Sequence, residues 1–185
     1  FLFDLHRYAE AVPILERSLA SDDDPLVRVM LALSIYRVSG PGESMAMLDG
    51  ISGLHPDSIP LLSALAGAYL EMGRAGEAVE AAEAAVSRNE GNPEAIALRA
   101  RILRMKGDAG PAAGEVDRAL AEHAQSAALL VEKAWALLAA NGTAEAAAAG
   151  QQAMDLGGPH YPDAALVTAA ALEAQKDDDG AYAAI

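Results

Sequence analysis

Apolar positions along the chain fall in pairs of short stretches, each following the i, i+3, i+4, i+7 spacing that places side chains on one face of a helix. Leu62, Leu65, Ala66 and Tyr69 trace one such face, and Ala78, Ala82, Ala85 and Val86 trace the next. No segment sustains the period-two alternation of a half-buried strand. The pattern predicts an all-α chain made of helix pairs. Punctuation residues divide them. Asp24-Pro25, Asn92-Pro93-Glu94 and Gly110-Pro111 set a cap-type residue or a glycine before a proline suited to a first helical position. Gly73, Gly107 and Asn141-Gly142 supply the left-handed residue that stops a helix.

The pairs repeat. Small residues recur at Ala11, Ser44, Ala78, Ala112, Ala146 and Ala181, in steps of 33, 34, 34, 34 and 35. A second column runs Leu2, Ile35, Tyr69, Leu103, Leu137 and Leu172. Three residues before it lies a third, Ala32, Ala66, Ala100, Ala134 and Ala169; four residues after it lies a fourth, His6, Ser39, Gly73, Gly107, Asn141 and Lys176. A period of this size belongs to arrays in which no repeat buries its apolar face alone and neighbours stack into a continuous core. Two columns of methyl-sized side chains let helix axes approach to the short end of the roughly 8–10 Å packing range.

Leu65-Ala66-Gly67-Ala68-Tyr69, followed by Gly73-Arg74-Ala75-Gly76-Glu77-Ala78, resembles the tetratricopeptide repeat family, and Pro56 keeps the proline that commonly closes a repeat. The resemblance covers nearly the whole chain. It weakens where Arg28, Leu62, Ile96, Leu130 and Ala165 replace an early aromatic, and where Arg99 and Lys133 stand for leucine. Glu90, Ala124 and Gly158 replace the closing proline. It implies an all-α, right-handed superhelical solenoid of antiparallel helix pairs. Full repeats are expected at 25–58, 59–92, 93–126 and 127–160, with partial repeats at 1–24 and 161–185. Phe1-Leu2-Phe3 then falls at the tail of a first helix, and Ala181 opens a second one. The expectation is a piece of a longer array whose incomplete ends self-associate or are covered by further residues.

Composition narrows the functions. The 185 residues are 52% hydrophobic but only 4% aromatic, so alanine must carry much of the close packing. Thirteen basic residues against 27 acidic ones give a net charge of −14, which speaks against nucleic acid and anionic membrane surfaces as partners. The longest charge-free apolar run, Ser58 to Leu70, falls short of the roughly 20 residues that span a bilayer. Absence of cysteine excludes disulfides, thiolate metal sites and thiol catalysis, while leaving cytoplasm and periplasm both open. The alanine, glycine and aspartate bias suits a bacterial source.

Candidate chemistry is sparse. The four histidines, His6, His55, His123 and His160, fall near turns without the close spacing of a zinc site. Asp22-Asp23-Asp24 reads as a helix cap, and Asp177-Asp178-Asp179-Gly180 as a turn rather than a calcium loop. Asn141-Gly142-Thr143 fits a glycosylation sequon and is read as a helix stop. No catalytic residue, metal or cofactor is assigned, and the chain is not expected to be an enzyme.

What remains is a surface. The resemblance implies that ligands bind a concave face lined by the first helix of each repeat. One residue past the packing columns stand Leu33, Tyr36 and Arg37; Ser63, Gly67, Leu70 and Glu71; Ala97, Arg101, Arg104 and Met105; Val131, Trp135 and Leu138; and Leu166, Ala170 and Glu173. The residues expected to bind a partner are Arg37, Leu70, Arg101, Arg104, Met105, Trp135 and Leu138. Arg99, Arg101, Arg104 and Lys106 concentrate four of the thirteen basic residues beside the only tryptophan, and Arg and Trp are the types most enriched at binding hot spots. The inner positions lack the Lys and Asn with which chaperone adaptors of the family clamp a C-terminal carboxylate. The function expected is a non-catalytic interaction scaffold or adaptor for a protein or peptide, or else a regulatory or assembly module of a larger enzyme or export complex.

Overall fold

The structure, a computed structural model, describes residues 7–51, 58–158, 161–176 and 178–184. Among the described residues there are eleven helices and no strand. They gather into two compact units, Phe1–Glu90 and Gly91–Ile185. In the first, α1 (Tyr8–Ser21) packs on α2 (Pro25–Ser39), α2 on α3 (Gly42–Asp49), and α4 (Ile59–Glu71) on α5 (Ala75–Arg88), with α2 and α4 side by side. In the second, α6 (Pro93–Lys106), α8 (Ala127–Ala139) and α10 (Pro162–Ala174) pack one against the next. Onto them fold α7 (Ala109–Glu122), α9 (Thr143–Gly157) and the short α11 (Asp178–Ala183). Turns of a few residues return each helix antiparallel to its partner, the geometry of a helix-pair solenoid.

The small-residue columns are where the helices meet. Ala11, Ser44, Ala78, Ala112, Ala146 and Ala181 are all buried, as are Ala32, Ala66, Ala100, Ala134 and Ala169. Ala100 and Ala112 belong to one buried cluster with Val116, Ala119 and Leu129. α9 approaches α10 closely: a methyl added at Gly150 would fall 2.2 Å from Thr168 Oγ1. Thr168 is itself buried, and its hydroxyl donates to the Ala164 carbonyl at 2.8 Å.

The start signals operate largely as the sequence predicts. Asp24 accepts from the Leu26 amide at 2.8 Å to cap α2, and Asn92 accepts from the amides of Glu94 and Ala95 to cap α6. Ser58 and Ser126 do the same for α4 and α8. Gly110-Pro111 is the exception: α7 already begins at Ala109, which places Pro111 inside its first turn. That position is tolerated because first-turn amides have no intrahelical acceptor to lose.

The stop signals are more regular than their residue types suggest. Gly73, Gly107, Asn141 and Lys176 all have positive φ, at 75°, 106°, 62° and 66°. At the first three, the residue that follows sends its N–H back to the second column. Arg74 donates to the Tyr69 carbonyl, Asp108 to that of Leu103 and Gly142 to that of Leu137, at 2.8, 2.8 and 2.9 Å. With the companion bonds from Gly73 to Leu70, Gly107 to Arg104 and Asn141 to Leu138, these are Schellman closures. Two of the four columns thus belong to one backbone motif: the second supplies the accepting carbonyl and the fourth the left-handed residue just before the donor. A side chain in the left-handed region costs on the order of 1 kcal/mol. Gly107→Ala should therefore lose about 1 kcal/mol in urea denaturation, and Lys176→Gly should gain a comparable amount; equal effects of one sign would show that these closures do not set stability.

Candidate functional site

The site is built in the second unit by three helices in register. Arg101 and Arg104 stand one turn apart on α6, Glu132 and Trp135 one turn apart on α8, and Asp163 in the first turn of α10. Glu132 is 2% exposed, although it is charged. Its two oxygens each take one arginine: Arg101 Nε donates to Oε1 at 2.9 Å and Arg104 Nε to Oε2 at 3.1 Å. Arg101 continues outward, its Nη2 donating to Asp163 Oδ2 at 2.7 Å. The Arg104 guanidinium lies over the Trp135 ring, 5.2 Å from its centroid. Trp135 backs onto the apolar cluster of Leu130, Val131, Ala134, Ala164 and Val167, which fixes its plane. Burial works against the Arg101 charge, but the hydrogen bond and field of Glu132, with Asp163 adding to them, hold its pKa above the ordinary arginine value. Desolvation, with the field of Asp163, raises that of the neighbouring Tyr161 phenol.

These contacts change the meaning of the basic cluster. Arg99 pairs with Glu115, and Lys106 with Asp108 at 3.2 Å, so all four cations between 99 and 106 have acidic partners within the chain. The expected local excess of positive charge is neutralised. What persists is geometry. Both guanidinium groups are turned by one buried carboxylate, and among the described residues the two terminal nitrogens of Arg104 have no hydrogen-bond acceptor.

Around the cluster, Met105 is 58% exposed and follows Arg101 by one helical turn; Leu166 is 59% exposed and follows Asp163 by three positions. Leu138 is half-buried on α8. The remaining expected residues lie in the first unit. Leu70 is half-buried on α4, and Arg37 on α2 donates through Nε to Glu71 Oε2 at 2.8 Å while facing the Tyr8 ring at 5.8 Å. Three of the wider set of surface positions are not on the surface: Leu33, Ala97 and Val131 are buried. Ala97 joins the cluster that includes Leu129 of α8, and Val131 the one that includes Ala164 and Val167 of α10.

Glu132 is the residue that the sequence reading passes over, yet the repeat register flags it. Two residues before the alanine column stand Met30, Ala64, Leu98, Glu132 and Val167, a single charge among apolar residues. His123 is half-buried in the turn after α7; His6, His55, His160, Pro56 and Phe1-Leu2-Phe3 lie outside the described residues, as do the side chains of Asp177–Asp179. Among the described residues no group of three or more His, Asp or Glu is placed to hold a metal ion, and no helix is long and apolar enough to cross a membrane.

Stacked helix pairs closed by a repeated turn motif define an α-helical repeat protein. The tetratricopeptide repeat family model matches residues 41–102 of this chain. Solved structures agree in fold. A thermophilic TPR protein of Thermus thermophilus superposes with a TM-score of 0.66 at 20% identity, over 93% of this chain and 94% of that one. PilW, a widely conserved type IV pilus biogenesis factor, gives 0.59 at 16% identity, over 99% and 85%. A chain of the Cut9–Hcn1 hetero-tetramer of the APC/C gives 0.66 at 15% identity, over 99% of this chain and 36% of that one. No curated protein matches the chain in sequence.

Proposed function

We propose that this chain is a non-catalytic protein-interaction scaffold that holds a peptide or helix on the α6, α8 and α10 face of its second unit. The observation that carries the reading is the Arg104–Trp135 stack. An aromatic ring and a guanidinium stacked together, with terminal nitrogens that meet no acceptor among the described residues and exposed Met105 and Leu166 nearby, combine the features of a binding hot spot. The tetratricopeptide repeat is in general an interaction fold without chemistry of its own. A partner with apolar groups flanking an acidic one suits this face, and the same face serves whether the chain acts as a free adaptor or as an assembly module of a larger complex.

Peptides selected from a random display library against the chain test the reading, with binding mapped by amide chemical-shift perturbation. Shifts should concentrate on α6, α8 and α10, and Trp135→Ala should weaken the selected peptides by about thirtyfold, as loss of a hot-spot aromatic does. Shifts confined to α7 and α9, or affinity untouched by Trp135→Ala, would sink it.

A further inference from the structure

The two carboxylates on Arg101 differ in kind. Glu132 is sealed under the helices and has no other partner to turn to. Asp163 is 46% exposed, sits in the first turn of α10 and touches only the outer edge of the guanidinium. The N-cap residue of α10, Tyr161, offers no side-chain acceptor to the first-turn amides. A released Asp163 therefore stays beside the positive end of its own helix, in water. An ion pair whose acid is this open to water is weak. Moreover, the inner shell of Arg101, Arg104 and Glu132 carries one net positive charge, which Asp163 cancels.

We infer, resting on the binding reading above, that Asp163 is a built-in competitor: it occupies the edge of Arg101 that an acidic side chain of a partner peptide takes when it binds. In the empty state Glu132 aims both guanidinium groups outward and Asp163 closes one of them. An incoming carboxylate displaces Asp163 from Arg101 Nη2 and gains the terminal nitrogens of Arg104, next to the face of Trp135. The exchange leaves the charge of the cluster at zero, so it selects for one carboxylate rather than a run of them. A run would also meet the repulsion of a chain with net charge −14. Asp163 thus sets a threshold: a ligand that cannot supply a carboxylate has nothing to put in its place.

The sequence contains one tryptophan, Trp135, so its emission reports on the site directly. The probes are a capped peptide Ser-Leu-Glu-Leu-Ser and its twin with glutamine for glutamate, titrated into the native chain, Asp163→Asn and Asp163→Asn with Arg104→Gln. The acidic peptide should bind Asp163→Asn about fivefold tighter than the native chain, the size expected for removing one ion pair with a water-exposed acid. The glutamine twin should bind both alike, and Arg104→Gln should remove the gain. Asp163→Ser, with a shorter side chain, should reproduce the effect and guards against a folding fault peculiar to asparagine. Equal affinity of the acidic peptide for native chain and Asp163→Asn, equal tightening of both peptides, or no change in emission with either, overturns the inference. If that happens while library-selected peptides still perturb α6, α8 and α10, the competitor role alone is lost; if those peptides map elsewhere, the binding reading beneath it goes too.

Discussion

Replacing Arg101 and Arg104 together by methionine is expected to destabilise the second unit by about 3–5 kcal/mol, more than the reciprocal change Glu132→Met. The asymmetry follows from burial. Without its arginines, Glu132 is an uncompensated carboxylate beneath the helices at 2% exposure. Without Glu132, the arginines retain a path to water, since their side chains are 31% and 24% exposed, and Glu132→Met should cost only about 1 kcal/mol. Adding Glu132→Met to the arginine double variant should then recover most of the loss, because apolar groups of similar volume often replace a buried ion pair without penalty. Urea denaturation followed by far-UV circular dichroism and Trp135 emission measures all three. A double variant no worse than Glu132→Met, or a triple variant no better than the double, would mean that Glu132 is not effectively buried in solution.

The other large effect is expected at the alanine columns. Ala100 is 1% exposed on α6 and shares a buried cluster with Ala112 and Val116 of α7. A phenylalanine there has no space to enter and must push α6 from α7, at a cost of about 3 kcal/mol or more, the upper end for overpacked cores. Ala121 is also alanine and also helical, but it is exposed on α7, and Ala121→Phe should stay within about 0.5 kcal/mol of the parent. Thermal unfolding of the two variants side by side separates packing from helix propensity, which is the same substitution in both; matching midpoints would refute the role assigned to the column.

The architecture could be read from the chain because the same contact recurs every 34 residues. A buried small residue such as Ala66 or Ala134 is unremarkable singly, but in register with its equivalents it marks a helix interface. The left-handed column could be located for the same reason, even at Lys176, whose residue type gives no hint of positive φ. The site obeys no such recurrence. Arg101 and Arg104 announced themselves by type, whereas the residue that orients them lies 31 and 28 positions away on another helix. Long-range pairing of one cation with one anion leaves no periodic trace. Its one trace was negative, a charge at Glu132 in a column otherwise apolar. The surface positions Leu33, Ala97 and Val131 failed for a local reason: on a helix flanked on both sides, one residue of rotation separates a solvent-facing side chain from an interface.

In a stack of helix pairs each repeat ordinarily senses only its immediate neighbours, so opening at one end proceeds repeat by repeat with little memory. The Arg101–Asp163 bond reaches from α6 past α8 to α10 and links next-nearest neighbours. Fraying of α10 therefore releases a contact on α6, and the three helices share part of their opening free energy. A ligand that displaces Asp163 cuts this tie at the moment it binds, so occupancy of the face is expected to loosen α10 while α6 and α8 tighten around the guest, turning a recognition event into a change in local hydrogen exchange two helices away.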